Sequence, residues 1–126
     1  MTQSSNISVF EFEEVSSTNS LALEKAREGL TCPAWFTAKT QTKGRGRGPK
    51  EWVSLDGNLF ATFVSEQSGH LASVTEIGFV CALACFDAIC EVAPRCAEWL
   101  QLKWPNDVLL SQKKVAGILL ETEKKQ

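Results

Sequence analysis

The chain has 126 residues, enough for one domain with a hydrophobic core, and its 44% apolar and 22% charged content excludes a disordered protein. A net charge of −2 excludes a protein that is basic all over, so any anion-binding site must be local. The longest apolar run has ten residues, about half of the roughly 20 that span a bilayer, and the first ten residues lack a signal-peptide pattern. We therefore expect no membrane association.

The N-terminal third predicts a strand, a helix and a second strand after a polar, loosely ordered start at residues 1–7. Residues 9–15 alternate between apolar and acidic side chains, which is typical of a half-exposed strand. Ser17 or Thr18 is a suitable helix N-cap, and apolar residues then recur at helical spacing until Gly29. The second, apolar strand is predicted at residues 34–38, and it leads into a glycine-rich loop at residues 42–51.

The rest of the chain predicts strands on both sides of a long helix. Residues 59–64 are apolar on both faces, which predicts a central strand. The helix is predicted over residues 71–92, with Pro94 as its stop. Three strands follow, at 100–104, 108–110 and 115–120, the last two joined as a hairpin through SQKK. The order β-α-β-β-α-β-β-β predicts an α+β fold, with a mixed, largely antiparallel sheet flanked by helices.

Cysteine usage indicates a reducing compartment. The five cysteines are Cys32, Cys81, Cys85, Cys90 and Cys96. No CxxC pair occurs among them, and the single histidine, His70, has no ligand pattern around it. We interpret them as reduced thiols that pack as small apolar side chains, with a metal site as the alternative. The prediction is a cytoplasmic protein without a metal site.

Positive charge is concentrated in KTQTKGRGRGPKEW, residues 39–52, where five of the thirteen basic residues lie within twelve positions. Glycines at 44, 46 and 48 allow tight turns and let successive N–H groups face an anion. Arg45 and Arg47 are two residues apart, so an extended segment projects both to one side, and each can bind a carboxylate or phosphate through two parallel bonds. A solvated loop, or one that contacts nucleic-acid phosphates, explains these residues equally well.

Two further segments place lysines beside turns. In LKWPND, Lys103 ends an apolar strand and enters a Pro-Asn-Asp turn, where a lysine is uncommon unless it has a partner or a task. In KKVAGILLE, we expect Lys113 and Lys114 at the hairpin tip, and Gly117 interrupts an apolar strand, which often marks a close approach by a ligand or another backbone. Each segment alone also fits an ordinary turn with solvated lysines.

Taken in order, STN, TQTKGRGRG…W, KWPND and KKVAGILLE closely resemble the motif series of the biotin–protein ligases, the biotin–[carboxylase] ligase family. The resemblance covers Val15 to Glu121, and the pair GRGR and KWPND is specific. It implies the class II aminoacyl-tRNA synthetase-like fold of biotin and lipoate ligases, with residues 1–126 as the N-terminal part of the catalytic domain. It also implies an enzyme that joins biotin to ATP, releases pyrophosphate, and transfers biotin from biotinyl-5′-AMP to a lysine of the biotin carboxyl-carrier domain of a carboxylase.

The resemblance also assigns residues to the two substrates. On the biotin side it places Ser17, Thr18, Asn19, Gln41, Arg45, Gly46, Arg47 and Lys103. On the ATP side it places Arg47, Lys50, Trp52, Asn106 and Lys114. Arg45, Arg47 and Lys103 are the implied catalytic residues, because they neutralise the repulsion between the biotin carboxylate and the ATP α-phosphate. Mg²⁺ is expected to be held mainly by ATP and water, and the basic loop is expected to close as a lid over biotinyl-5′-AMP.

The chain departs from the family pattern at two points. Lys50 stands where the family usually has arginine, which keeps the charge and loses the bidentate fork. Members also continue well past the KKVAGILLE strand, and some begin with a helix-turn-helix. We therefore expect a fragment, a half completed by a partner, or a degenerate member, with no DNA-repressor role.

Other functions stay open at this point. A biotin-binding module without turnover fits the missing ATP-side elements, and a lipoate or octanoate ligase or transferase fits the same fold. A nucleic-acid binder that uses the basic loop is disfavoured by the net charge. A homodimer is open as an assembly.

Overall fold

The computed structural model describes residues 6–67 and 74–124. The chain forms two compact units: the first consists of Met1–Ser68 and Glu121–Gln126, and the second of Gly69–Leu120. Of the segments named above, residues 1–5, His70 and residues 71–73 of the long helix lie outside the described residues. The single catalytic domain over residues 1–126 stays a prediction.

The first unit is built on a three-stranded sheet. Its strands are β1 (Ser8–Val15), β2 (Ala34–Gln41) and β5 (Phe60–Val64), in the order β1-β2-β5. β1 pairs with β2 in parallel and β2 pairs with β5 antiparallel, so the sheet is mixed, as predicted.

The prediction of a central strand at residues 59–64 is wrong within this sheet, because β2 holds the middle position and β5 an end. β5 is apolar on both faces for another reason. Its Phe60 is buried on the same face as Ala38, while the partly exposed ring of Phe63 packs at an angle of 44° against Trp35 on the other face, with ring centroids 4.8 Å apart. Apolar side chains on both faces of a strand indicate packing above and below the sheet. They do not indicate the position of the strand in the sheet, which depends on which strand edges pair.

Helix α1 (Thr18–Arg27) connects β1 to β2. Ser17 is its N-cap: the residue is extended (φ −158°, ψ 134°), and its Oγ accepts a hydrogen bond from the Ser20 N–H at 3.3 Å. Gly29, with φ 93°, lets the chain leave the helix end in a left-handed conformation. The core of the unit is formed by Ala22, Ala34 and Phe36, with Leu21, Leu30 and Val64 packed around them.

The basic loop between β2 and β5 contains a small hairpin of β3 (Gly44–Arg45) and β4 (Glu51–Trp52). The Gly46 N–H donates to the Lys50 carbonyl at 3.0 Å and closes it. The premise that Arg45 and Arg47 share one extended segment is wrong, because β3 ends at Arg45 and Arg47 lies in the following bend.

The second unit contains a helix, a 3-10 helix and an antiparallel sheet. In chain order these are α2 (Val74–Val92), the 3-10 helix Pro94–Trp99, β6 (Leu100–Lys103), β7 (Asp107–Leu110) and β8 (Lys113–Gly117). α2 ends at Val92 because the ring of Pro94 disfavours helical backbone at Ala93. Leu100, Val108 and Ala82 are buried. Within the described residues, neither helix is long and apolar enough to cross a membrane.

The turn between β7 and β8 is two residues shorter than predicted, so β8 begins two residues earlier. Leu110 lies opposite Lys113, and the two turn residues, Ser111 (φ 47°) and Gln112 (φ 67°), both have the positive φ of a type I′ turn. Lys113 and Lys114 therefore lie in β8 instead of at the tip, and Gly117 is the last residue of that strand. The error arose because Ser-Gln lacks the strong Asn-Gly signal for such a turn.

Candidate functional site

A hydrogen-bond network joins the start of α1 to the end of β2. Oε1 of Gln41 accepts from the Thr18 backbone N–H at 2.8 Å and from the Thr18 hydroxyl at 3.1 Å. Ser17 and Thr18 are only 3% and 4% exposed, and polar groups this buried require partners. The parallel register brings the two segments together, because Val15 lies opposite Gln41 and the helix begins three residues later.

Strand β5 contributes a hydroxyl to this network. Oγ1 of Thr62 lies 2.8 Å from Oγ1 of Thr18 and is also hydrogen-bonded to Oδ1 of Asn19. A hydroxyl carries one proton, so Thr62 donates to one of these oxygens at a time. Sequence reasoning missed Thr62, whose only signal is a hydroxyl inside the apolar strand FATFV.

The guanidinium of Arg45 lies at the same helix start. Its Nη1 donates to Ser20 Oγ at 2.7 Å, and its Nη2 forms an ion pair with the carboxylate of Glu121. That carboxylate also accepts from Asn19 Nδ2 at 3.2 Å. Neither Ser20 nor Glu121 was predicted as a site residue, although Glu121 is visible in the sequence as the acid that ends the apolar segment of KKVAGILLE.

Two glycines let the loop pack closely. A Cβ atom on Gly46 would lie 2.6 Å from Nε1 of Trp52, so the indole covers this glycine. A Cβ atom on Gly44 would lie 2.9 Å from Nε2 of Gln41 and 3.0 Å from the Trp52 carbonyl oxygen. Glycine at position 44 thus permits the loop to approach the carboxamide that binds Thr18.

The predicted residues Arg47 and Lys50 are exposed on the loop. Hydrogen bonds bring together four residues of the predicted biotin side, namely Thr18, Asn19, Gln41 and Arg45. Ser17 caps the helix beneath them. Two open depressions of about 420 and 440 Å³ lie elsewhere on the first unit, and no predicted site residue lines either of them. The network, and not a deep cavity, defines the candidate site.

In the second unit the KWPND segment connects β6 to β7. Lys103 is exposed and lies opposite Asp107, whose Oδ1 is 3.1 Å from Nζ of Lys114. Asn106 is tied to Ile118 twice, since its Nδ2 donates to the Ile118 carbonyl and its own carbonyl accepts from the Ile118 N–H. Among the described residues, Oδ1 of Asn106 is a buried acceptor without a hydrogen-bond partner. A buried acceptor without a partner is uncommon in folded proteins.

The described residues do not form a group of side chains suited to bind a metal ion. Across residues 6–67 and 74–124, no group of three or more His, Cys, Asp or Glu side chains is placed to hold a metal ion. All five cysteines fall within these ranges and are free thiols. Burial raises the pKa of Cys81 and of Cys85.

Biotin protein ligases share this fold. The crystal structure of the Leishmania major enzyme in complex with biotinyl-5-AMP is similar with a TM-score of 0.78 at 32% identity, over 92% of this chain and 52% of that chain. The Aquifex aeolicus enzyme in complex with biotin and ATP gives 0.77 at 31% identity, over 93% of this chain and 47% of that chain. The predicted α+β ligase fold is confirmed.

The sequence comparison identifies the family. Residues 11–126 match the model described as the Biotin/lipoate A/B protein ligase family. The biotin–[acetyl-CoA-carboxylase] ligase of Paracoccus denitrificans is 47% identical over 109 residues, which cover 84% of this chain and 43% of that protein. The chain belongs to the biotin/lipoate A/B protein ligase family, as its motifs predicted, and spans about half the length of these relatives.

Proposed function

We propose that the chain carries biotin- and ATP-binding elements of an enzyme that attaches biotin, through biotinyl-5′-AMP, to a lysine of the biotin carboxyl-carrier domain of a carboxylase. The observation that carries the proposal is the network of Thr18, Asn19, Gln41 and Arg45. These residues come from three separate segments, and the motif series assigns all of them to the biotin side. The names of the relatives, which mention biotin, ATP, biotinyl-5-AMP and acetyl-CoA carboxylase, support it.

The first step requires two anions to meet. A biotin carboxylate oxygen attacks the α-phosphorus of ATP, and pyrophosphate leaves with its bonding electrons. Two unit charges about 4 Å apart repel by roughly 4 kcal/mol at an effective dielectric of 20. Arg45 has five N–H donors, of which Ser20 and Glu121 use two, so others are available to the carboxylate. Arg47 adds a second charge from the exposed part of the loop.

The second step needs little from these residues beyond orientation and exclusion of water. The amine of the carrier lysine attacks the acyl carbon of biotinyl-5′-AMP, an amide bond forms, and AMP leaves. Closure of the exposed part of the basic loop at residues 42–51, with Arg45 held at its base, protects the mixed anhydride from hydrolysis.

The ATP side of the proposal rests mainly on motif position. Lys103 stabilises the charge that builds up at the reacting phosphorus, and Lys50, Trp52 and Lys114 contact the nucleotide. Asn106 has structural support as well, because its buried Oδ1 is available to a hydroxyl or amino group of the nucleotide.

Mg²⁺ belongs to the nucleotide in this proposal. The described residues do not offer a cluster of three ligand side chains, so they do not fit a protein-held ion, and phosphate oxygens and water would bind it instead. No step is assigned to the ion. The free thiols support a cytoplasmic location.

A second candidate is a lipoate or octanoate ligase or transferase, because the family description includes lipoate as well as biotin. A biotin-binding module without turnover is the third. Pyrophosphate release measured with biotin and ATP, and then with lipoate in place of biotin, separates a biotin ligase, a lipoate ligase and a protein without ATP turnover. Sedimentation of the same preparation distinguishes a monomer from the homodimer.

The residue-level test uses Arg45→Ala and Lys103→Ala. Each substitution leaves the ligand anion without a charged partner, so biotin or biotinyl-5′-AMP binding should weaken by about 2–4 kcal/mol, roughly 30- to 900-fold. Isothermal titration calorimetry measures this change. Lys43→Ala, at an exposed lysine of the same loop without an assigned role, is the matched control and should bind normally. Unchanged affinity in both active-site variants would refute the site.

A further inference from the structure

The network contains a carboxylate that the proposed reaction does not use. Glu121 forms an ion pair with Arg45 and accepts a hydrogen bond from Asn19 at 3.2 Å, so it contacts two residues of the biotin side. The side chains of Arg45 and Glu121 are 39% and 30% exposed. An ion pair in contact with solvent adds little to stability. We therefore expect this pair to matter for the orientation of the Arg45 side chain.

The contact with Glu121 restricts the orientation of the Arg45 guanidinium. An unrestrained arginine side chain populates many rotamers, and a ligand that fixes it must offset the lost entropy. Here the guanidinium is held from two sides, by Ser20 on Nη1 at 2.7 Å and by Glu121 on Nη2. Ser20 is itself fixed, because it lies in the first turn of α1 and its N–H donates to the Ser17 cap. The arginine is therefore oriented before any ligand arrives.

We infer that Glu121, together with Ser20, is a positioning residue for Arg45: it fixes the guanidinium so that the remaining N–H donors of Arg45 bind the ligand anion at a reduced entropic cost. This inference rests on the proposed function, which makes Arg45 the anion partner. An opposing effect exists, since the carboxylate has the same charge as the ligand. We expect the gain from orientation to exceed this repulsion.

The same segment supplies a matched control. Glu123 accepts two hydrogen bonds from Arg27, from Nε at 2.9 Å and from Nη2 at 3.0 Å. This contact holds the segment against α1 without touching Arg45. Glu123→Gln thus reports on docking of the segment, whereas Glu121→Gln reports on docking and on the arginine together.

The experiment is titration calorimetry with biotin on the unsubstituted chain, Glu121→Gln, Ser20→Ala and Glu123→Gln. We expect Glu121→Gln and Ser20→Ala to bind biotin about 3- to 10-fold more weakly, the effect of releasing one long side chain, and Glu123→Gln to bind normally. Ser20→Ala removes the hydroxyl that binds Arg45 and introduces a residue that favours helix. It therefore tests the inference without the risk of a folding defect at Glu121.

A double-mutant cycle separates positioning from a general structural effect. In an Arg45→Ala background, Glu121→Gln should cause no further loss, because there is no guanidinium left to orient. Tighter or unchanged biotin binding by Glu121→Gln, an equal loss in Glu123→Gln, or a loss that persists without Arg45 would each overturn the inference while the proposed function stands. Failure of the unsubstituted chain to bind biotin would overturn the proposed function, and the inference with it.

Discussion

Buried and half-buried hydroxyl and amide groups of the candidate site form hydrogen bonds with one another. Thr18 and Gln41 belong to recognisable motifs, so sequence reasoning selected both. Thr62 and Glu121 were missed because their partners are far away in the chain: Thr62 meets Thr18 across 44 positions, and Glu121 meets Arg45 across 76. No local pattern in the sequence predicts that the hydroxyl of Thr62 or the carboxylate of Glu121 will bind residues so far away in the chain.

Gly44 packs between the Gln41 carboxamide of the network and the backbone of Trp52 in the loop. Gly44→Ala places a methyl group 2.9 Å from Gln41 Nε2 and 3.0 Å from the backbone oxygen of Trp52, and the backbone cannot yield without moving β4. We expect about 1–3 kcal/mol of destabilisation from this overpacking. The carboxamide of Gln41 should be displaced from Thr18, which NMR detects as shifts of both residues, and biotin binding should fall.

Gly48→Ala is the control for that experiment. A Cβ atom at position 48 has no neighbour within 4 Å, although the φ of 68° makes alanine strained by about 1–2 kcal/mol. It should therefore lower stability while the Gln41 and Thr18 signals stay in place. If Gly48→Ala moves those signals as much as Gly44→Ala does, steric contact with Gln41 is not the cause.

Among the secondary-structure elements, those with a clear period or cap were predicted well, and those set by pairing were not. α1 begins after Ser17 as its cap predicts, and α2 ends before Pro94. The end position of β5 and the short turn before β8 depended on which strands pair and in which register. A one-residue or two-residue change of register costs little in local propensity and is decided by packing.

The turn of the β7–β8 hairpin holds a residue other than glycine in a left-handed conformation. Gln112 has φ 67° in a type I′ turn, a conformation that glycine adopts without steric cost. Gln112→Gly should raise the free energy of unfolding by about 1 kcal/mol, measured by urea denaturation. Gln112→Ala keeps the strain and should give no such gain. Equal stability of the glycine and alanine variants would show that the turn is not strained at this position.

Over the whole molecule, several titratable groups have pKa values shifted by their surroundings. The hydrogen bond from Arg27 lowers the pKa of Glu123. Hydrogen bonds to Glu28 and to Glu13 raise the pKa of Lys25 and of Lys39, and burial raises that of Cys81 and Cys85. Each of these groups is therefore better accommodated in its neutral-pH form when the chain is folded.

The pH dependence of unfolding follows from these directions. A lowered carboxyl pKa contributes stability that is present above the ordinary value of 4.5 and is lost as pH falls through the folded pKa. A raised thiol pKa contributes stability that is full below the ordinary value of 9.0 and is lost as pH rises through the folded pKa. Denaturation curves should thus show a plateau near neutrality that declines on both sides.

Substitutions assign the two limbs of this profile. Glu123→Gln should make the acid limb only slightly shallower, because an exposed ion pair adds little to stability, and a Cys81→Ala, Cys85→Ala double variant should flatten the alkaline limb. High salt should reduce the acid limb, because the Arg27 pair is solvent-exposed and screened. Limbs that are the same in these variants as in the unsubstituted chain would assign the pH dependence to other groups.

The sequence by itself determined the helices, most strands, the α+β class and the motif series that marks the family, because caps, periodicity and loop chemistry are properties of neighbouring residues. Only the tertiary structure decided that β2 is the middle strand, that the basic loop folds into a hairpin, and that Thr62, Ser20 and Glu121 complete the network around Thr18 and Arg45. The physical reason is that strand pairing and side-chain hydrogen bonds join residues distant in the chain, and their partners are selected by packing of the folded unit, which no local pattern records.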